Sequence, residues 1–367
     1  MHRGDPIGSA STSSRERSRL TGAWLRLVGG AGIAGIQAVV VFCLLEVICR
    51  LADPLGISYY PETARYLDTM IVEEPIGYRN RPGLRGEFYG VPVAINSLGM
   101  RDSEIPSKGA DEFRILVLGD SVPFGIGVDF DETIPSQLEE ILNQAAPPHR
   151  TYRTLNMGVP SYNTEQELLQ LKTLGLSLEP DVAVLLFSLN DIERKKWVFE
   201  KRASWYADLA QRSYATSFLF VLIRQLRSAV GRPEQLISVG EYHADSPRWQ
   251  VIKRSLLEIS QRCKDRRIGF IVVTSLAQLG AESRMLEEVG QQSGFEVVNL
   301  STSSDPRWAH RDRLELANSR VDSHPNPEGS RAFAVMIAEH LGEAGFLAGS
   351  MDKHSAEARL GSDASRP

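Results

Sequence analysis

The pattern of apolar and polar positions divides the chain into zones of different period. From Leu27 to Leu45 every residue is apolar or glycine except Gln37. At helical rise that length is about enough to cross a hydrocarbon core of roughly 30 Å. The pattern predicts a transmembrane anchor over residues 23–49, preceded by a Ser- and Arg-rich stretch, 1–22, too polar to repay the entropy of ordering and expected to be a disordered tail. Arg15, Arg17, Arg19 and Arg26 precede the apolar run, so the positive-inside rule keeps the N-terminus in the cytoplasm and sends the rest across. A cleaved signal peptide fits less well, because Glu46 and Arg50 stand where a small-x-small site would follow. Phe42 before Cys43 is likewise too large for a lipoprotein cleavage site. The rival to an anchor is a buried helix of a soluble protein, and the arginine cluster counts against it.

Beyond the anchor, residues 50–110 are rich in Pro, Gly and Tyr, with one or two short strands predicted within Glu87 to Ile95. They read as a spacer that packs onto the main domain, and Arg101 and Asp102 read as a surface salt bridge, with a place near Ser121 as the other reading. From residue 111 the pattern alternates in the βα manner. Ile115 to Leu118 is an unbroken apolar run, as expected of a parallel strand buried on both faces. A helix is predicted over Thr133 to Gln144, a strand over Arg153 to Asn156, and a helix from Thr164 to Leu174 opened by a Thr164/Glu167 capping box. A second strong strand, Asp181 to Ser188, ends at Asn190-Asp191. Residues 192–245 break the rhythm with a basic cluster, Arg194 to Lys196, and an apolar patch, Phe218 to Ile223, too short to span a bilayer. They read as a helical insertion covering the fold, with a substrate lid or a membrane-facing helix as the other readings. Alternation resumes with a helix over Pro247 to Lys264, a strand over Ile268 to Thr274, a helix over Glu282 to Gln292 and a strand over Glu296 to Leu300. A last helix is capped by Asn326 with Pro327 at its first position and runs to about Leu341. Residues 349–367 are polar and expected to be disordered.

Composition bounds the partners. A 367-residue chain, 42% hydrophobic and 24% charged, can bury a full core. Its net charge of -5, without a basic stripe interleaved with aromatics, argues against nucleic acid. Three cysteines, two of them in or beside the apolar segment, build neither a disulfide framework nor a Cys-based zinc site.

Candidate chemistry sits where the predicted strands end. Gly119-Asp120-Ser121 follows the first strand, and Gly125 and Gly127 free the backbone to turn. No Lys follows for a P-loop, and no third glycine completes a dinucleotide fingerprint. An isolated Gly-Asp-Ser also fits an ordinary turn. Ser121, Gly158, Asn190, and Asp322 with His324 lie at the ends of successive predicted strands, and in a parallel sheet these converge on one edge. A serine hydroxyl needs a base, and an imidazole base needs a carboxylate to hold its tautomer. His324 and Asp322 supply both. The backbone N–H groups of Ser121 and Gly158 and the Asn190 amide fit as donors to a developing oxyanion.

With these blocks in order, the chain resembles the SGNH hydrolases, also called the GDSL family. Gly119-Asp120-Ser121, Gly158, Asn190-Asp191 and Asp322-Ser323-His324-Pro325-Asn326 match its four blocks, and the resemblance spans about residues 111–345. It implies a three-layer α/β/α sandwich around a mainly parallel five-stranded sheet of flavodoxin-like topology, and hydrolysis of acyl esters without metal or other cofactor. It also implies Ser121 as nucleophile, His324 as base, Asp322 as acid, and Gly158 with Asn190 at the oxyanion hole. Two positions depart from the family pattern. The acid commonly stands three residues before the histidine, where this chain has Val321, and Leu189 occupies a place often held by Gly. The anchor followed by Asn96-Ser-Leu-Gly-Met-Arg101 also resembles membrane-tethered bacterial members linked to extracellular polysaccharide, which points to O-acetyl groups on glycans as substrate. An acyltransferase shares the same acyl-enzyme step. A metal-dependent phosphoesterase using Asp120, Asn190, Asp191, Asp322 and His324 as ligands, and a catalytically idle glycan-binding protein, are the readings from other classes.

Overall fold

The computed structural model describes residues 12–193, 212–230, 241–274, 280–300, 302 and 305–347. The expected C-terminal tail, the basic cluster Arg194 to Lys196 and much of the 192–245 insertion lie outside them.

Helix α1 runs from Thr12 to Ala52, so residues 12–22 are helical where an unstructured tail was expected. No Pro interrupts the run, and once the apolar segment has nucleated a helix, each further residue costs little to add. Its stretch Gly30–Ala52 is long and apolar enough to cross a membrane and is almost entirely exposed. After it come α2 (Tyr59–Leu67) and two hairpins, β1–β2 (Ile71–Glu73, Gly77–Arg79) and β3–β4 (Arg85–Phe88, Val91–Ala94). This segment forms its own small core, with Tyr66, Met70, Ile76, Tyr78, Phe88, Val93 and Ile95 closing on Phe124, Ile126, Val159 and Tyr162. The spacer therefore packs directly on the loop that follows Ser121.

The central sheet contains β5 (Glu112–Gly119), β6 (Thr151–Asn156), β7 (Val182–Phe187), β8 (Gly269–Thr274) and β9 (Glu296–Asn299), in the order β6-β5-β7-β8-β9. All four pairings are parallel. Side chains alternate across the pleat. Ile115 and Val117 of β5, with Val182, Val184 and Leu186 of β7, face a layer made by α4 (Ile134–Gln144) and α9 (Pro327–Glu343). Leu116 and Leu118, with Ala183, Leu185 and Phe187, face a layer made by α5 (Thr164–Thr173), α7 (Pro247–Asp265) and α8 (Gly280–Ser293). The fold is the three-layer α/β/α sandwich that the resemblance implies, and the described part of the insertion contains helix α6 (Tyr214–Ala229).

Helix entry is where the local reading needs correction. Asn163, one residue before the expected cap, accepts from the backbone N–H of Gln166. Glu167 makes no capping box and is fully buried. Asn326 caps α9 as expected, accepting from Gly329 N. Because the chain leaves β5 toward β6 on one side and returns to β7 on the other, the crevice between the ends of β5 and β7 is the topological switch point, where ligands bind in open α/β sheets.

Candidate active site

Ser121 opens α3 (Ser121–Phe124), a single turn directly after β5. Asp120 caps it by accepting from Val122 N at 3.0 Å. Gly125 ends the turn at φ +83°, a left-handed conformation that a side chain rarely tolerates. A buried guanidinium holds the loop beyond. Arg101, 1% exposed, donates to the carbonyls of Phe124 (3.1 Å), Gly125, Val128 (2.7 Å) and Pro92 (3.3 Å). Burial lowers its pKa to about 10, so it still carries its charge near neutral pH. Asp102 points elsewhere, accepting from Arg153 and from Asn156 N at 3.0 Å. The expected Arg101–Asp102 surface salt bridge is thus two separate buried fastenings of the site.

His324 does not come from a strand end. It lies on the stretch between β9 and α9, just before Asn326, and this stretch folds back on itself through an isolated bridge between Ala317 and Pro325. His324 Nε2 lies 2.6 Å from Ser121 Oγ, and His324 Nδ1 lies 2.5 Å from Asp322 Oδ1. Asp322 also accepts from His324 N at 3.1 Å and, through Oδ2, from Asn318 Nδ2 at 3.0 Å. The same Asn318 amide donates to Ile126 O at 2.7 Å, joining the histidine loop to the serine loop. Asn318 stands outside every block the sequence singled out, and nothing in its local sequence marks it. Tyr59 packs against the His324 ring at 5.6 Å between centroids. Burial, reinforced by the Asp322 charge, raises the Tyr59 pKa and keeps its hydroxyl protonated.

Asn190 arrives after β7 in a 3₁₀ turn, Leu189–Ile192. Its amide donates one hydrogen to Asp120 Oδ2 at 2.9 Å, leaving the second N–H for another acceptor. Asp120 thereby binds the serine turn and the asparagine turn to each other. Gly158 departs from its expected part. Its N–H donates to Asn156 Oδ1 at 2.9 Å, so the donor expected to face an oxyanion is engaged. Its missing side chain gives room instead: a Cβ there would lie 2.2 Å from Phe124 N. Ser121, His324, Asp322 and Asn190 therefore meet at one mouth, with Gly158 packed beneath α3.

Behind Asp120 lie two carboxyls, Glu167, expected as a capping-box partner, and Asp191, pictured as a metal ligand. Glu167 and Asp191 are 0% exposed. Asp191 Oδ2 meets Ser188 N (3.3 Å) and Thr164 Oγ1 (3.4 Å), whereas its Oδ1 and both oxygens of Glu167 meet no donor among the described residues. Burial raises both pKa values well above the carboxylate range, and repulsion adds to it, from Asp120 at Glu167 and from Glu167 and Asp120 at Asp191.

Two of the residues pictured as metal ligands, Asp120 and Asp322, have their oxygens engaged by protein donors. Asp120 accepts from Val122 N, Ser188 Oγ and Asn190, and Asp322 accepts from His324 N and Asn318. Among the described residues no three His, Cys, Asp or Glu side chains gather as a metal site.

Comparison with known families matches residues 117–332 to the GDSL-like lipase/acylhydrolase family. The chain belongs to that family. The hydrolase is an SGNH-type serine esterase by class, and its matched region runs from within β5 into α9. No curated protein matches it. Among solved structures it is similar to a lipase/acylhydrolase from Enterococcus faecalis, with 14% identity over 62% of this chain and 95% of that one and a TM-score of 0.40. A psychrotrophic esterase from Pseudoalteromonas, inhibited by monoethylphosphonate, matches at 12% identity over 63% and 97%, with a TM-score of 0.39. A two-domain esterase active on acetylated mannans matches at 15% identity over 64% and 50%, with a TM-score of 0.38.

Proposed function

We propose that the hydrolase cleaves acyl esters through an acyl-enzyme on Ser121, from a catalytic domain held outside the cytoplasm by α1. The observation that carries the chemistry is the unbroken line from Ser121 Oγ through His324 to Asp322, at 2.6 and 2.5 Å. His324 Nε2 takes the Ser121 proton as Oγ attacks the acyl carbon, and Asp322 stabilises the imidazolium that forms. The imidazolium then protonates the departing alkoxide, and water repeats the sequence in reverse to release the acid. The Ser121 N–H and the free hydrogen of the Asn190 amide are the donors for the oxyanion, where charge develops in the transition state. Gly158 would join them only by exchanging its bond to Asn156.

Support for the anchor is the exposed apolar stretch Gly30–Ala52 together with the arginines that precede it. The acyl group proposed is a short one such as O-acetyl, on a glycan outside the cell, the substrate class implied by the resemblance of the anchor and the Asn96-to-Arg101 turn to polysaccharide-linked members of the family.

A fluorophosphonate probe tests the chemistry directly. The full chain should be labelled at Ser121, and Ser121→Ala should abolish labelling and lower turnover by at least about 10³-fold. Labelling at another residue, or full esterase activity in folded Ser121→Ala, would overturn the assignment.

A further inference from the structure

Helix α6 has two apolar faces, and the fold uses one. Tyr214, Phe218 and Val221 close a cluster with Leu45 and Cys49 of α1, with Leu55, Ile57 and Tyr60, and with Val321 beside Asp322. The other face carries Leu219, Leu222, Ile223 and Leu226, with Val230 just beyond the helix, exposed by 40, 39, 52, 59 and 72%. The spacings 219, 223, 226 and 230 are those of one helical stripe, about 16 Å long. A soluble surface rarely leaves such a stripe open. Sixteen residues are too few to span a bilayer, but a helix with one strongly apolar side can lie in the membrane interface.

The position of α6 selects lipid over other occupants. Its first turn is held by Glu46 of α1, which accepts from Ala215 N and Ser213 Oγ at 2.8 Å each. Val221 meets α1 at Cys49. The stripe therefore begins beside the last two turns of the membrane-crossing stretch, where Leu44, Val47, Ile48 and Leu51 are themselves exposed. Arg227 borders the stripe on the same helix, as expected of a cationic side chain reaching headgroup level from an interfacial helix. The way from α6 to the reacting atoms is short. Phe220 meets the Tyr60 ring at 6.1 Å, and the adjacent Tyr59 meets the His324 ring at 5.6 Å.

We infer that α6 lies in the lipid interface with its Leu219–Val230 stripe in the acyl region, so that the Ser121–His324 mouth sits at the membrane surface and takes esters borne on amphiphiles resident in the bilayer. The inference rests on the serine-esterase reading and narrows its substrates: a glycan ester would be reached while carried on a lipid.

The test uses the full chain in phosphatidylcholine/phosphatidylglycerol vesicles. In an Ile223→Cys, Cys43→Ser background, Cys49 and Cys263 being buried, a nitrobenzoxadiazole probe is attached at position 223. Its emission should shift to the blue and be quenched by doxyl-labelled lipids but not by aqueous iodide. Insensitivity to doxyl lipid, whether iodide reaches the probe or another copy of the chain shields it, overturns the inference. A second arm compares two acetates, methylumbelliferyl acetate in water and 7-acetoxy-4-heptadecylcoumarin partitioned into the vesicles, so that only the anchoring of the alcohol differs. Replacing Leu219, Ile223 and Leu226 together by Gln should lower turnover of the vesicle-borne ester at least tenfold and leave the water-soluble ester unchanged, which also reports that the variant is folded. Equal effects on both esters would count against it. Absence of turnover on both esters in the unsubstituted chain strikes the esterase reading instead, and the probe-depth result is independent of it.

Discussion

The two-residue spacing still brings the Asp322 carboxylate to the His324 ring because the loop is tied to itself. Ser319 Oγ accepts from Asp322 N at 3.0 Å, and Asn318 N donates to His324 O at 2.9 Å. The carboxylate is thus turned back toward the ring of the residue two positions on. Asn318 then holds the oxygen that His324 leaves free. We expect Asp322→Asn to lower kcat by about 10³- to 10⁴-fold, since an amide neither fixes the Nδ1–H tautomer nor stabilises the imidazolium. Asn318→Ala should cost far less. A mild effect of Asp322→Asn in steady-state kinetics would move the orienting role to another group. Glu167 and Asp191 give a different prediction at this scale. With folded pKa values raised well above their unfolded ones, the folded protein holds protons that the unfolded chain has lost. Their contribution to stability is full below the unfolded carboxylate range, near about 4, and is lost as pH rises toward the folded values. Glu167→Gln should therefore flatten the decline of Tm between about pH 5 and pH 8. Parallel Tm profiles for the two proteins would show that Glu167 is not the group involved.

Elements whose burial is written in their own composition were legible in the sequence, and elements defined by distant partners were not. The apolar runs of β5 and β7 are apolar because both faces are covered, so Ile115 to Leu118 and Val182 to Phe187 could be read directly. The cap of α9 was equally plain in Asn326-Pro327. The cap of α5 fell one residue from its expected place because two neighbouring residues, Asn163 and Thr164, can both cap, and tertiary packing chose Asn163. Of the site, the serine, asparagine and histidine blocks could be read from residue type and order. The engagement of Gly158 N–H by Asn156, and the hold of Asn318 on Asp322, depend on side-chain directions that spacing does not encode. Arg101 was misread for the same reason, since a polar turn looks exposed until the carbonyls that surround it, up to 27 positions away, are brought to it. Arg101→Leu would leave those carbonyls buried and unpaired, and we expect a loss of about 3 kcal/mol or more, measured by denaturant unfolding. Arg101→Lys should recover little, because a compact ammonium cannot span the set. Full recovery by Lys would mean that charge alone matters there.

At the scale of the whole molecule, the proposed anchor makes the orientation of α1 decide which side of a membrane the esterase serves. A reporter fused after Pro367 should be active only in the exported compartment, and cytoplasmic activity would reverse the orientation proposed from Arg15, Arg17, Arg19 and Arg26. The bond from Glu46 to the first turn of α6 has a further consequence for how the enzyme meets its substrate. A catalytic head on a slack tether searches a volume whose radius is set by the linker. Here α1 is fastened to the head through Glu46 and Cys49, so with α1 in a bilayer the mouth keeps one height and one tilt. For an ester resident in the same bilayer, as inferred above, its search would be lateral diffusion in a plane, at a rate set by the surface density of ester and the fluidity of the lipid rather than by bulk concentration.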